Sequence, residues 1–130
     1  MSNLVKKINS FAVKHPDIIL AFLFGSVASG RDHSNSDVDV ALLFERNKIP
    51  DGNNRLELMS ELSGLLEQNA DVVLLNSASP IVKMQVLRKG KKLYEKNRRA
   101  YSQFFVKTVN EYDDLKQVRK SAETKVLGLD

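Results

Sequence analysis

The sequence predicts an α/β or α+β domain. Short apolar runs closed by turn residues alternate with longer segments whose apolar residues recur every three or four positions. No internal repeat, low-complexity stretch or linker interrupts that alternation. At 130 residues the chain fits one domain, 1–130, long enough to bury a core without disulfides or a structural metal.

The elements follow in order. Residues 2–14 place Leu4, Val5, Ile8, Phe11 and Ala12 on one helical face, and Pro16 ends that helix. "DIILAFLFG" is a short apolar run closed by glycine, which reads as a buried strand. After a short polar segment, Asp37 to Phe44 reads as a second strand. "ERNKIPDGNN" is a surface loop by its proline, glycine and asparagines, and the segment after it carries Leu58, Met59, Leu62, Leu65 and Leu66 at helical spacing. "ADVVLLN" is a third strand. "SASPIVKMQVLRKG" has a helix start at Ser79 and Pro80 and a stop at Gly90, and "KKLYE" is a short fourth strand. From Arg98 onward Tyr101, Phe104, Phe105, Thr108, Val109, Tyr112, Leu115 and Val118 recur at three and four, which predicts a long amphipathic C-terminal helix packed on the domain's own sheet or, through Tyr101, Phe104, Phe105 and Tyr112, against another protein.

Composition excludes several classes. Hydrophobic residues at 42% and charged residues at 28% belong to an ordinary globular protein rather than a disordered or fibrous one. The absence of cysteine removes disulfide frameworks, thiolate zinc sites and a cysteine nucleophile together. The opening "MSNLVKKINSFAVKHPD" has no uninterrupted apolar core of a signal peptide, and no run approaches the roughly 20 apolar residues of a membrane span, so the expectation is a cytoplasmic protein without a membrane partner. A net charge of +4 suits an anionic ligand. Direct nucleic-acid binding is not expected, because aromatic residues are only 7% and no basic stripe is interleaved with them. The basic clusters Arg88 to Lys92 and Lys96 to Arg99 read as solvated faces.

The chemistry is concentrated between Phe22 and Phe44. Val38, Val40, Leu42 and Phe44 alternate as one apolar face, so Asp37 and Asp39 point together to the other face of the same strand. Paired carboxylates repel, and they suit magnesium, a hard cation that takes oxygen ligands and keeps positions free for substrate phosphates. Just upstream the first strand delivers Gly25-Ser26, where glycine permits close backbone approach and the serine hydroxyl can cap the turn or meet a phosphate; the same pair also serves as an ordinary turn. Arg31 can neutralise a triphosphate or simply be solvated. Asp71, opening the third strand, supplies a third carboxylate for a two-metal site of in-line displacement, or is an exposed strand-start residue. His15 and His33 are too isolated for a metal or acid–base role.

"GSVASGRDHSNSDVDV" resembles the Gly-Ser, ten residues, Asp-x-Asp signature of the DNA polymerase β-type nucleotidyltransferase superfamily. The whole chain, through "ADVVLLNSASPIVKMQVLRKGKKLYE" and the last helix, is similar to the minimal nucleotidyltransferase (MNT) group, some members of which are MntA-type antitoxins paired with HEPN toxins. The resemblance implies a small mixed sheet with flanking helices. It implies that Gly25 and Ser26 bind nucleotide phosphates and that Asp37, Asp39 and Asp71 hold Mg2+ and serve catalysis, while Arg31 is a candidate nucleotide-binding residue by its place just past Gly30. It also implies ATP as substrate and AMP transfer to a tyrosine hydroxyl of a HEPN ribonuclease toxin, in an assembly with that partner. A non-catalytic antitoxin that only binds its toxin, and an enzyme acting on a small-molecule hydroxyl, are the alternatives.

Overall fold

The computed structural model describes residues 2–25 and 37–127. Its elements run α1 (Ser2–Lys14), β1 (Ile18–Phe24), β2 (Val38–Phe44), α2 (Gly52–Leu66), β3 (Ala70–Leu74), α3 (Pro80–Lys89), β4 (Lys91–Glu95) and α4 (Arg98–Leu127). Each predicted element is present, with one shift at the site: Asp37 stands just ahead of β2 instead of within it.

The four strands form one mixed sheet in the order β3-β2-β1-β4. β1 pairs antiparallel with both β2 and β4, whereas β2 and β3 run parallel. A parallel neighbour requires a crossover, and α2 provides it.

Helices cover both faces. Val38, Val40, Leu42 and Phe44 face a core closed by Ile8, Phe11 and Ala12 of α1 and by Leu58, Leu62 and Leu66 of α2, so the alternation read along β2 marks the face it predicted. Leu62 is fully buried, and truncating such a leucine to alanine costs about 2–5 kcal/mol. On the other face Leu20, Phe22 and Ala41 pack under Val86 of α3 and Phe104 of α4. β1 serves both cores. A register shift between Ile18 and Leu20 turns Ile19 and Leu20 to the same face, and alternation resumes from Ala21.

Local chemistry sets the helix ends. Asp51 caps α2 by accepting the Asn54 N–H at 2.8 Å, and Ser79 caps α3 by accepting the Val82 N–H at 3.2 Å. α3 ends at Gly90, where a Cβ would lie 2.5 Å from the Val86 carbonyl oxygen and glycine is therefore required. The outer edge of β3 is closed by side chains of α2: Ser63 Oγ accepts the Ala70 N–H at 2.9 Å, and Arg55 Nε donates to the Val72 carbonyl at 2.9 Å.

α4 is covered less fully than its apolar stripe predicts. Phe104 and Thr108 are buried and Tyr101, Val109, Tyr112 and Leu115 half-buried, but Phe105 and Val118 are exposed at 45% and 65%. α3 anchors it through buried Lys83, which donates to Glu111 at 2.9 Å, and through Arg88, whose guanidinium lies over the Tyr112 ring. Further residues of the two basic clusters also make pairs: Lys92 bonds Glu95 and sits over Tyr101, and Lys96 bonds Glu45 and the Pro16 carbonyl.

Candidate active site

The site lies at one end of the sheet, where β1 ends and β2 and β3 begin. Strand direction explains why. β1 is antiparallel to β2, so the C-terminal end of β1 meets the start of β2, and Phe24 pairs with Asp39. β3 runs parallel to β2, so its start falls at the same end, and Asp71 is the register partner of Asp39. Register partners on neighbouring strands project to the same face, which places these two carboxylates side by side on strands about 4.8 Å apart. Asp37 stands exposed at the entry to β2, and the next residue, Val38, donates its N–H to the Asn69 carbonyl at 2.9 Å, tying that entry to the chain just before β3.

Gly25 completes the described part of the site. Its φ of +85° lies in the left-handed region, and a Cβ built on it would fall 2.3 Å from Asp39 Oδ2. Only glycine meets both conditions, the backbone conformation and the approaching carboxylate. Asp39 is therefore wedged between a turn without a side chain and a second acid.

Electrostatics record that crowding. The Asp39 carboxyl is pushed above its ordinary value, first by burial, then by the charge of Asp71, then by that of Asp37. Both neighbouring acids thus bear on Asp39 across the end of the sheet. The cation bonded to them among the described residues is Arg55, whose Nη2 lies 3.3 Å from Asp71 Oδ1.

The donor set is entirely carboxylate oxygen, the chemistry that hard divalent cations take, and the repulsion that raises Asp39 is what such a cation relieves. Among the described residues no three His, Cys, Asp or Glu side chains form a closed ligand cluster. The fit to a metal therefore rests on the adjacent pair Asp39 and Asp71, with Asp37 beyond it.

Of the predicted site residues, the structure brings Gly25, Asp39 and Asp71 together, with Asp37 at the margin. Ser26, Arg31 and His33 lie outside the described residues. His15 bonds Glu61 at 3.2 Å and lies tilted against the Phe11 ring, away from the candidate carboxylates. Arg55 was not singled out by its sequence context: it falls in the first turn of a helix after a loop, and its reach to a strand edge leaves no periodic trace. A separate cavity of about 370 Å³, lined by Leu43, Phe44, Lys83 and Phe104, lies toward the opposite end of β2.

This arrangement of a glycine turn after one strand and acids opening the next two coincides with a family match. Residues 6–99 match the polymerase β nucleotidyltransferases. The chain belongs to that family. This nucleotidyltransferase is 36% identical to the protein adenylyltransferase MntA of Shewanella oneidensis over 106 residues, which are 82% of this chain and 74% of the relative. It is similar in structure to a chain of a toxin–antitoxin crystallised with AMP-PNP, with 33% identity, a TM-score of 0.81, and 95% of this chain and 98% of the other covered. A third likeness is to a chain from the complex of tri-AMPylated Shewanella oneidensis HEPN toxin with MNT antitoxin, at 30% identity and TM-score 0.74, covering 97% of each chain. The family match ends at residue 99, near the start of α4, whereas these structural likenesses cover nearly the whole nucleotidyltransferase chain.

Proposed function

We propose that residues 1–130 act as a single cytoplasmic nucleotidyltransferase domain that transfers AMP from ATP to a tyrosine hydroxyl of a cognate HEPN ribonuclease toxin, and so serve as that toxin's antitoxin. The observation that carries this reading is the pairing of Asp39 with Asp71 beside the Gly25 turn. Support also comes from relatives: one is named a protein adenylyltransferase, and another was crystallised as an MNT antitoxin with an AMPylated HEPN toxin.

In the proposed reaction the acceptor oxygen forms a bond to the α-phosphorus of ATP, the bond from that phosphorus to the β-phosphate oxygen breaks, and pyrophosphate leaves. The hydroxyl proton passes to a carboxylate, for which Asp71 is the candidate. Asp37, Asp39 and Asp71 would hold Mg2+, which when bound neutralises phosphate charge and orients the triphosphate. Gly25 lets the backbone approach the phosphates, and Ser26 and Arg31 are proposed to bind them. The acceptor is expected to come from a docked protein, as in the relative crystallised with an AMPylated HEPN toxin.

The test is transfer of label from α-labelled ATP in the presence of magnesium, with the neighbouring gene product as acceptor and Asp37→Asn run alongside. Label on that protein, lost in the variant, is the expected result. No label on the protein although ATP binds would overturn protein AMPylation and direct the search to small-molecule hydroxyls. Failure to bind ATP would leave neutralisation by binding alone.

A further inference from the structure

We infer that Arg55 is a positioning residue for the active site, holding the Asp71 carboxylate in register beside Asp39. The inference rests on the nucleotidyl-transfer reading and adds a residue to it.

The geometry joins two acceptors on consecutive residues. Arg55 Nε donates to the Val72 carbonyl at 2.9 Å, and Nη2 of the same planar group lies 3.3 Å from Asp71 Oδ1. A guanidinium presents these donors in a fixed fork, so anchoring one edge to the backbone aims the other at the carboxylate. Asp71 Oδ1 is thereby engaged, and Oδ2 is the oxygen left for the site.

The platform is rigid. Arg55 sits in the first turn of α2, where its own N–H donates to the Asp51 carbonyl at 2.8 Å, and Leu58, Leu62 and Leu66 bury the same helix against the sheet. α2 covers the face opposite Asp71, so the side chain reaches around the outer edge of β3 to meet it.

Exposure argues that the pair serves position more than stability. The side chains of Arg55 and Asp71 are 37% and 43% exposed, and ion pairs so open to water contribute little to folding. The edge of β3 also retains the Ser63 bond to Ala70 when Arg55 is removed.

The test compares the parent with Arg55→Gln, Arg55→Lys and Asp39→Asn in two measurements. The first is the rate of AMP transfer at varied ATP, which separates kcat from KM. The second uses nucleotide-free protein and follows the melting temperature across a Mg2+ titration. Loss of a group that orients a ligating carboxylate typically costs about 10- to 100-fold in metal affinity or activity. Arg55→Gln should lower kcat and raise the Mg2+ midpoint within that range, with KM for ATP changed much less and the metal-free melting temperature near the parent's. Arg55→Lys should not restore either quantity, because one ammonium cannot span both acceptors as the fork does. Parental kcat and midpoint in Arg55→Gln, full rescue by lysine, or a parent whose melting ignores Mg2+ would each overturn the inference. Should the parent itself transfer no label, it is the nucleotidyl-transfer reading that fails; should Asp39→Asn transfer label as the parent does, it is the placement of that reaction at Asp39. The metal titration then still decides on Arg55, a raised midpoint upholding its role and an unmoved one removing it.

Discussion

Asp39 Oδ2 occupies the space where a side chain at Gly25 would begin, 2.3 Å from an ideal Cβ on that glycine. The end of β1 and the start of β2 are therefore matched to each other atom by atom. The turn can bear no side chain because the acid is there, and the acid can approach because the turn bears none.

Gly25→Ala follows directly. The φ of +85° strains any residue with a Cβ, at about 1–3 kcal/mol, and the new methyl must displace the Asp39 carboxylate. A displacement near 1 Å at a reacting centre costs about 100-fold in rate. The variant should melt below the parent and lose AMP transfer by at least about that factor, measured by circular dichroism and by labelling. Full activity in a folded Gly25→Ala protein would show that Asp39 does not need this position.

The pH dependence of stability carries a definite sign. Burial and the charges of Asp71 and Asp37 raise the Asp39 carboxyl above its ordinary 3.8, so the folded state holds that proton more tightly than the unfolded state. The stabilising effect of the proton is fully present below 3.8 and is lost as pH rises through the raised folded value. Ionised Asp39 thus destabilises the metal-free fold at neutral pH. Asp39→Asn should melt higher than the parent at pH 7, and the advantage should vanish as pH falls below 3.8. The same variant should abolish transfer. An Asn variant that melts lower at pH 7 would mean that the carboxylate is better solvated than its neighbours allow.

Thr108 gives a prediction away from the site. It is 1% exposed, and its hydroxyl has no hydrogen-bond partner among the described residues. A buried hydroxyl left unpaired costs about 1–3 kcal/mol, and Thr108→Val removes it at nearly the same shape. Urea unfolding should show a gain of about 1 kcal/mol with transfer activity unchanged. A loss of stability would reveal that the hydroxyl is satisfied in solution.

The elements were legible because their periodicities differ: Val38 to Phe44 alternates by two, and Leu58 to Leu66 recurs by three and four. The acids of the site were legible for the same reason, as charged interruptions in otherwise apolar strands. Asp37 was placed one position too far inside, since a strand boundary leaves no mark when the flanking residue fits the alternation. Arg55 and the Lys83–Glu111 pair were hidden, because each joins elements distant in sequence through one long side chain. The thin cover over α4 was hidden too: the stripe from Tyr101 to Val118 states which face is apolar, and only the reach of α3 and the sheet decides how much of it is buried.

The parallel pairing of β2 with β3 has a consequence for the life of the chain during synthesis. Gly25 and Asp39 lie on neighbouring antiparallel strands and can meet once β2 has left the ribosome, but Asp71 joins them only after the α2 crossover has been made and β3 has docked. A nascent chain that ends between β2 and β3 carries the glycine turn, Asp37 and Asp39 without Asp71. On the proposed reading, competence for transfer waits until the long-range half of the sheet is in place, and an unfinished chain would spend no nucleotide.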